Sequence, residues 1–287
     1  MAAGLEKWHF VCGHCGLEKS TLTPKINESN PMNEPERATA LRTLRQQNFT
    51  TLLTWLARQY PAGFPPRPRM LEVGCAHGWF MEQAQATHDV LGIEPDAAIF
   101  RETRAKGLPV RHGFFPDALA DDDMFDVIVF NDVLEHIPDA PSMLAHCRKH
   151  LTDNGHVVIN APSSEGIFYR TSKWMARLGL PQSFGRMWQL DLPSPHLYYF
   201  NTRTISDCAR NTGFSLQGVT ALPSITTEGL TERISYAGQT SALKTRLMAL
   251  CITALMPLVR ISRPDIEVWL LRKSSDMQET TTLPKKS

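Results

Sequence analysis

Short apolar runs alternate with stretches of helical spacing through the middle of the chain. The runs at 70–74, 89–94, 109–112, 126–131 and 156–160 read as strands, with helices between them. Such alternation predicts an α/β fold on a parallel sheet. Ahead of it, Leu41, Leu44, Leu52, Trp55 and Leu56 recur at helical spacing within 37–60, and Pro61 to Pro68 form a stiff link. Asn154-Gly155 marks a turn before the fifth strand. Beyond it come a helix near 202–212 that ends at Gly213, a strand near 214–220 and a weakly alternating closing strand at 266–272.

Four segments fall outside this pattern. Residues 1–36 are polar and irregular, with Pro24, Pro31 and Pro35 set against long helices. Residues 163–200 are a long insertion carrying Phe168, Tyr169, Trp174, Phe184, Trp188, Tyr198 and Tyr199, the natural cover for a substrate. Residues 243–263 are apolar with Lys244, Arg246, Arg260 and Arg263 at the flanks, and Pro257 bends or stops a helix there. That segment is either buried, against the insertion or a second subunit, or laid on a membrane surface. Residues 274–287 read as a disordered tail. The expected organisation is an extension (1–36), one large domain (37–273) and the tail.

Composition narrows the function. A formal net charge of +1 over 287 residues gives no global field for nucleic acid. Six scattered cysteines make no secreted disulfide framework. Met1 to Ser20 lack an apolar signal core, and no apolar run reaches the roughly 18 residues of a spanning helix. A cytoplasmic setting is expected.

The chemistry sits at the ends of the predicted strands. The first strand runs into Glu72-Val73-Gly74-Cys75-Ala76-His77-Gly78, a turn whose Gly74 and Gly78 admit positive φ and close approach to a ligand. Glu94-Pro95 ends the second strand, where an acid can accept both hydroxyls of a ribose. Phe125-Asp126-Val127-Ile128-Val129-Phe130-Asn131 is followed by Asp132-Val133-Leu134-Glu135-His136. A nicotinamide site usually shows G-x-G-x-x-G, which is absent here.

Order and spacing together resemble the class I S-adenosylmethionine-dependent methyltransferases, in the branch that includes ubiquinone-pathway O-methyltransferases and sugar and secondary-metabolite enzymes. The resemblance spans about residues 40–273 and includes Pro195-His196-Leu197-Tyr198-Tyr199-Phe200-Asn201 and Asn211-Thr212-Gly213-Phe214. It implies a Rossmann-like fold, a mostly parallel seven-stranded sheet with helices on both faces and a lid insertion. It also implies a cofactor site of Glu72, Gly74, Cys75, Ala76, Gly78, Glu94, Pro95, Phe114, Phe115 and Asn131. Ala76 stands where the motif usually has its central glycine, so it is expected to avoid positive φ.

Three readings of Asp132, Glu135 and His136 stay open, because a helix starting there puts all three on one face. The group braces the helix, or His136 is a general base, or the three bind a divalent metal, as E-x-x-E-H is thought to do in similar quinone enzymes. His196 is the second candidate base. Cys12-Gly13-His14-Cys15-Gly16 resembles a zinc knuckle, with Cys12 and Cys15 giving two of four ligands and His9 or His14 as candidate additions. The alternative is a segment without metal. The functional expectation is methyl transfer from S-adenosylmethionine to a small acceptor, most simply at a hydroxyl oxygen. Nitrogen or carbon methylation and a catalytically silent binding subunit are the alternatives.

Overall fold

The central strands are apolar on consecutive residues because both faces of their sheet are covered. In the computed structural model, which describes residues 1–25, 34–228, 230–231, 234 and 242–274, Val127, Ile128, Val129 and Phe130 are all fully buried. The elements in chain order are β1 (Ala2–Ala3), β2 (His9–Val11), β3 (Glu18–Ser20), α1 (Glu34–Ala57), β4 (Arg69–Val73), α2 (Trp79–Ala84), β5 (Asp89–Glu94) and α3 (Ala97–Ala105). They continue with β6 (Val110–His112), β7 (Phe125–Asn131), a 3-10 turn (Leu134–His136), α4 (Ala140–His150), β8 (Leu151–Pro162), α5 (Ile167–Arg177) and α6 (Gln182–Met187). The last are β9 (Tyr198–Tyr199), α7 (Thr202–Asn211), β10 (Phe214–Leu222), α8 (Ala242–Ile261) and β11 (Ile266–Lys273).

The seven-stranded sheet has the order β10-β11-β8-β7-β4-β5-β6. β11 runs antiparallel to both β8 and β10, and the pairs from β8 to β6 are parallel. Side-chain alternation splits the core in two. Leu71, Ile128, Phe130 and Ile159 pack with Leu144 of α4 and Ile205 of α7. Met70, Val127, Val129 and Val158 pack on the other face with Leu52 and Leu56 of α1 and Phe80 of α2. Helix starts follow local chemistry. The Asp96 carboxylate accepts from the N–H of Ala98 (2.8 Å) and Ile99 (3.0 Å), and Asn201 forms a capping box with Thr204.

The N-terminal extension departs from expectation. It is not irregular: β1, β2 and β3 form an antiparallel sheet completed by β9, which comes from the end of the 163–200 insertion. The alternation that marks strands was too short to read in segments of two or three residues. Pro35 does not exclude a helix either, because it stands in the first turn of α1, where its missing N–H has no partner to lose. Residues 275–287, most of the expected tail, lie outside the described residues.

Candidate active site

The parallel strands end together on one edge, and β4 is the switch point, with β5 on one side and β7 on the other. Ligands of open α/β sheets bind in the crevice there. The turn after β4 is pinned from below: the N–H groups of Gly74 and Cys75 both donate to the Ile93 carbonyl, at 2.8 and 3.0 Å. Gly74 (φ 69°), Ala76 (φ 45°) and Gly78 (φ 74°) all adopt the left-handed region. Ala76 therefore does what its side chain disfavours. Two bonds hold it there: its N–H donates to Glu94 Oε2 (2.8 Å) and its carbonyl accepts from Thr103 Oγ1 (2.6 Å).

The glycines are required by the protein's own packing. A Cβ on Gly74 would lie 2.8 Å from Val133 Cγ2, and one on Gly78 would collide with Leu108 and Thr103. The helix that follows, α2, spans six residues, too short for the N-terminal dipole to be argued as a ligand site. The Cys75 side chain turns into the core beside Gly92, leaving only its backbone at the turn.

Two acids define the crevice. Glu94, at the end of β5, is buried and also accepts from the N–H of Asp96 (2.8 Å), so it organises both flanking loops. Burial raises its pKa, and those two backbone bonds oppose the rise. Each of its oxygens keeps acceptor capacity for a diol. Glu72 is fully buried, and burial pushes its carboxyl up to about 8, opposed by a hydrogen bond from Asn131 Nδ2 (2.9 Å) and helped by the charge of Glu94. Glu72 Oε2, Asn131 Oδ1 and Asn160 Oδ1 are buried polar atoms without a hydrogen-bond partner, converging at the ends of β4, β7 and β8. Unsatisfied acceptors of this kind fit a bound donor such as an ammonium group.

The loop after β6 divides the two candidate phenylalanines. Phe114 is 54% exposed and faces outward, whereas Phe115 is a core residue stacked edge-on against Phe130. Phe115 is therefore removed from the ligand-facing set. The Pro95 carbonyl accepts from His112 Nε2 (3.2 Å), which ties the two loop roots together.

Asp132, Glu135 and His136 do not share a helix. Asp132 takes φ 53° at the end of β7, and only Leu134–His136 form a 3-10 turn. Asp132 instead faces Arg45 of α1, at 3.6 Å. His196 takes its place: one ligand atom from each of Glu135, His136 and His196 lies within 4.8 Å of the others. Burial, then the charge of Asp132, raises the pKa of Glu135 well above the ordinary carboxyl range, and neither of its oxygens has a hydrogen-bond partner. Backbone bonds brace the group as well, since Leu197 N–H donates to the Glu135 carbonyl (2.7 Å). His136 Nδ1 donates to the Pro195 carbonyl (2.9 Å) and its ring lies 4.7 Å from that of His196. His196 itself is buried. Its Nε2 accepts from Gln189 (2.9 Å), and desolvation drives its pKa well below the usual imidazole value.

Arg45 is the functional candidate that sequence reading missed. Its charge acts on Glu72 and Glu135 as well as Asp132. No local motif marks it, because α1 reaches the strand ends only after folding.

Four aromatics of the insertion are core residues. Tyr169, Phe184, Trp188 and Tyr199 form a third core under the N-terminal sheet, with Leu5 and Trp8 packed on it. At its centre Glu18 binds His9 Nε2 (2.8 Å), Tyr169 OH (2.7 Å) and Lys173 Nζ (2.7 Å). Cys12 and Cys15 lie in the β2–β3 hairpin as free thiols. The backbone N–H groups of Cys15 and His14 lower the Cys12 thiol to about 7. Among the described residues no third histidine, cysteine or carboxylate joins them, and His9 is engaged by Glu18 and by the Leu5 N–H. Among the described residues, a four-ligand zinc site is not assembled.

Comparison with known proteins agrees with this geometry. The profile of a methyltransferase domain family matches residues 44–218, more than half of the chain. Trans-aconitate 2-methyltransferase of Deinococcus radiodurans is 30% identical over 115 residues, which is 38% of this chain and 44% of that protein. Ubiquinone biosynthesis O-methyltransferase of Alkalilimnicola ehrlichii is 30% identical over 100 residues, 32% of this chain and 40% of its own length. The matches thus span less than half of these relatives. Magnesium protoporphyrin IX methyltransferase of Synechocystis PCC 6803 shares the fold at TM-score 0.52 and 14% identity, covering 86% of this chain and 90% of that one. A methyltransferase of Thermotoga maritima does so at TM-score 0.53 and 16% identity, covering 84% and 96%. With the strand order, the switch-point acids and the left-handed turn already in place, the family match makes this chain a member of the class I S-adenosylmethionine-dependent methyltransferases.

Proposed function

We propose that the chain methylates a hydroxyl oxygen of a small acceptor and that His136 is the general base. The observation that carries this reading is the hydrogen bond from His136 Nδ1 to the Pro195 carbonyl. A carbonyl only accepts, so Nδ1 donates, and in the neutral ring Nε2, 3.9 Å from Glu135 Oε1, is the nitrogen left to take a proton. S-adenosylmethionine supplies a methyl group made electrophilic by its sulfonium. Glu94 would accept from the ribose, Glu72 and Asn131 from the ammonium of the methionyl part, Arg45 would hold its carboxylate, and the exposed Phe114 ring would pack on the adenine. His136 would take the proton of the acceptor hydroxyl as the methyl group passes to oxygen. His196, buried behind His136, positions it. The relatives named as ubiquinone biosynthesis O-methyltransferases support oxygen as the acceptor atom.

His136→Ala should lower kcat by about 10²–10⁴-fold while S-adenosylmethionine affinity stays near wild type, and the rise of rate with pH should disappear. Wild-type turnover in that variant at saturating acceptor would sink the base role and favour a nitrogen or carbon nucleophile. A second reading rests on the mutual approach of Glu135, His136 and His196, which fits a divalent cation with mixed oxygen and nitrogen ligands. Loss of activity in a chelator, restored by Mn²⁺ or Zn²⁺, would select it; full activity there leaves the base reading.

A further inference from the structure

Among the described residues, nothing covers one stripe of side chains on α8. Leu247, Leu250, Cys251, Ala254 and Ile261 recur at helical spacing, and all are exposed. Leu247 is 60%, Leu250 67% and Ile261 83% accessible, values that an apolar helix face reaches only when it lacks a partner. The opposite side rests on the protein through buried Thr245 and Met256. The helix contains no acidic residue, and Lys244, Arg246 and Arg260 stand towards its two ends. α5 begins beside the point where α8 ends: Arg263 pairs with Glu165, and Asp265 accepts from the Phe168 N–H at 2.8 Å. α5 is also free of acids and exposes Trp174.

We infer that α8 docks on the surface of an anionic lipid bilayer. Apolar side chains on one stripe, cations at both ends and no acid along the helix complement acyl chains beneath negative headgroups. No helix among the described residues is long and apolar enough to cross a membrane, so the helix lies in the interface rather than through it.

The full chain should sediment with vesicles of phosphatidylcholine mixed with phosphatidylglycerol and stay in solution with phosphatidylcholine alone. Leu247→Glu combined with Leu250→Glu should weaken vesicle binding by roughly tenfold or more. Arg246→Ala should weaken it by about fivefold, the effect of one cation near an anionic surface. Because these positions are exposed, circular dichroism and the melting temperature should match wild type, and Arg246→Ala keeps the test alive if the double variant fails to fold. Failure of the wild type to bind mixed vesicles, equal binding to both vesicle types, or unchanged binding in the variants overturns the proposal. So does a dimer in light scattering that the double variant dissolves, which would assign the stripe to a second copy of the chain.

Discussion

Glu94 ties the proposed ribose site to the scaffold in a single side chain. Its oxygens hold the N–H groups of Ala76 and Asp96, and the Ala76 bond keeps an alanine at φ 45°. Glu94→Ala should therefore weaken S-adenosylmethionine binding by about 1–3 kcal/mol, the cost of a lost charged acceptor. Titration calorimetry on wild type and variant checks this, and equal affinities would remove Glu94 from the ribose role. Glu72, Gly74, Gly78 and Glu94 were all legible in the sequence, because each lies within a few residues of a strand end. Ala76 was legible as a departure from the motif, but its backbone was not. Its left-handed φ comes from a carboxylate eighteen positions away. Phe115 misled for the same reason: sequence places it at a strand end, but only packing decides that it points at Phe130.

At the scale of elements, the central strands of the main sheet follow the apolar runs closely, since burial on both faces writes itself into consecutive residues, while the edge strands β6 and β10 are only partly buried. The N-terminal strands escaped notice because their partner is distant. β3 pairs with β9, Glu18 opposite Tyr199, and Ser20 Oγ donates to the His196 carbonyl at 2.7 Å. Glu18 is the staple of this small sheet. Its pKa is lowered: burial raises it, but His9, Lys173 and Tyr169 together outweigh that. Glu18→Ala strands a buried histidine and tyrosine and a half-buried lysine at once, so a loss of about 3–5 kcal/mol is expected. The readouts are a fall in melting temperature and faster proteolysis within residues 1–25. Wild-type protection of that segment would show that the aromatic core alone holds it.

Across the whole molecule, buried titratable groups set how stability depends on pH. Glu72, raised from an ordinary 4.5 to about 8 by burial, and Glu135, raised well above the ordinary value by burial and the charge of Asp132, hold protons more tightly when folded. Their contribution is complete below the unfolded value and is lost as pH rises through the folded one. His156, lowered to about 4 by burial, and His196 act in the opposite sense, but only below the ordinary 6.5. Between about pH 6.5 and 8 the buried carboxyls are opposed by the Cys12 thiol, which is fully exposed and whose lowered value acts in the other sense above about 7. The ligand-free chain should thus melt at lower temperature as pH rises through that window, and Glu72→Gln should flatten the slope. A slope unchanged in the variant would show that Glu72 is already ionised.

The insertion leaves the sheet at Ser163 and returns at Phe200, and these two residues bridge one another. Its entrance and exit are therefore one point, and evolution could exchange everything between them without moving a strand of the main sheet. The exchange could not be made alone, however. Residues 1–25 supply the sheet that β9 joins and the acid that Tyr169 and Lys173 bind. A replacement insertion would have to arrive with a matching N-terminal segment, two pieces far apart in the gene and adjacent in space.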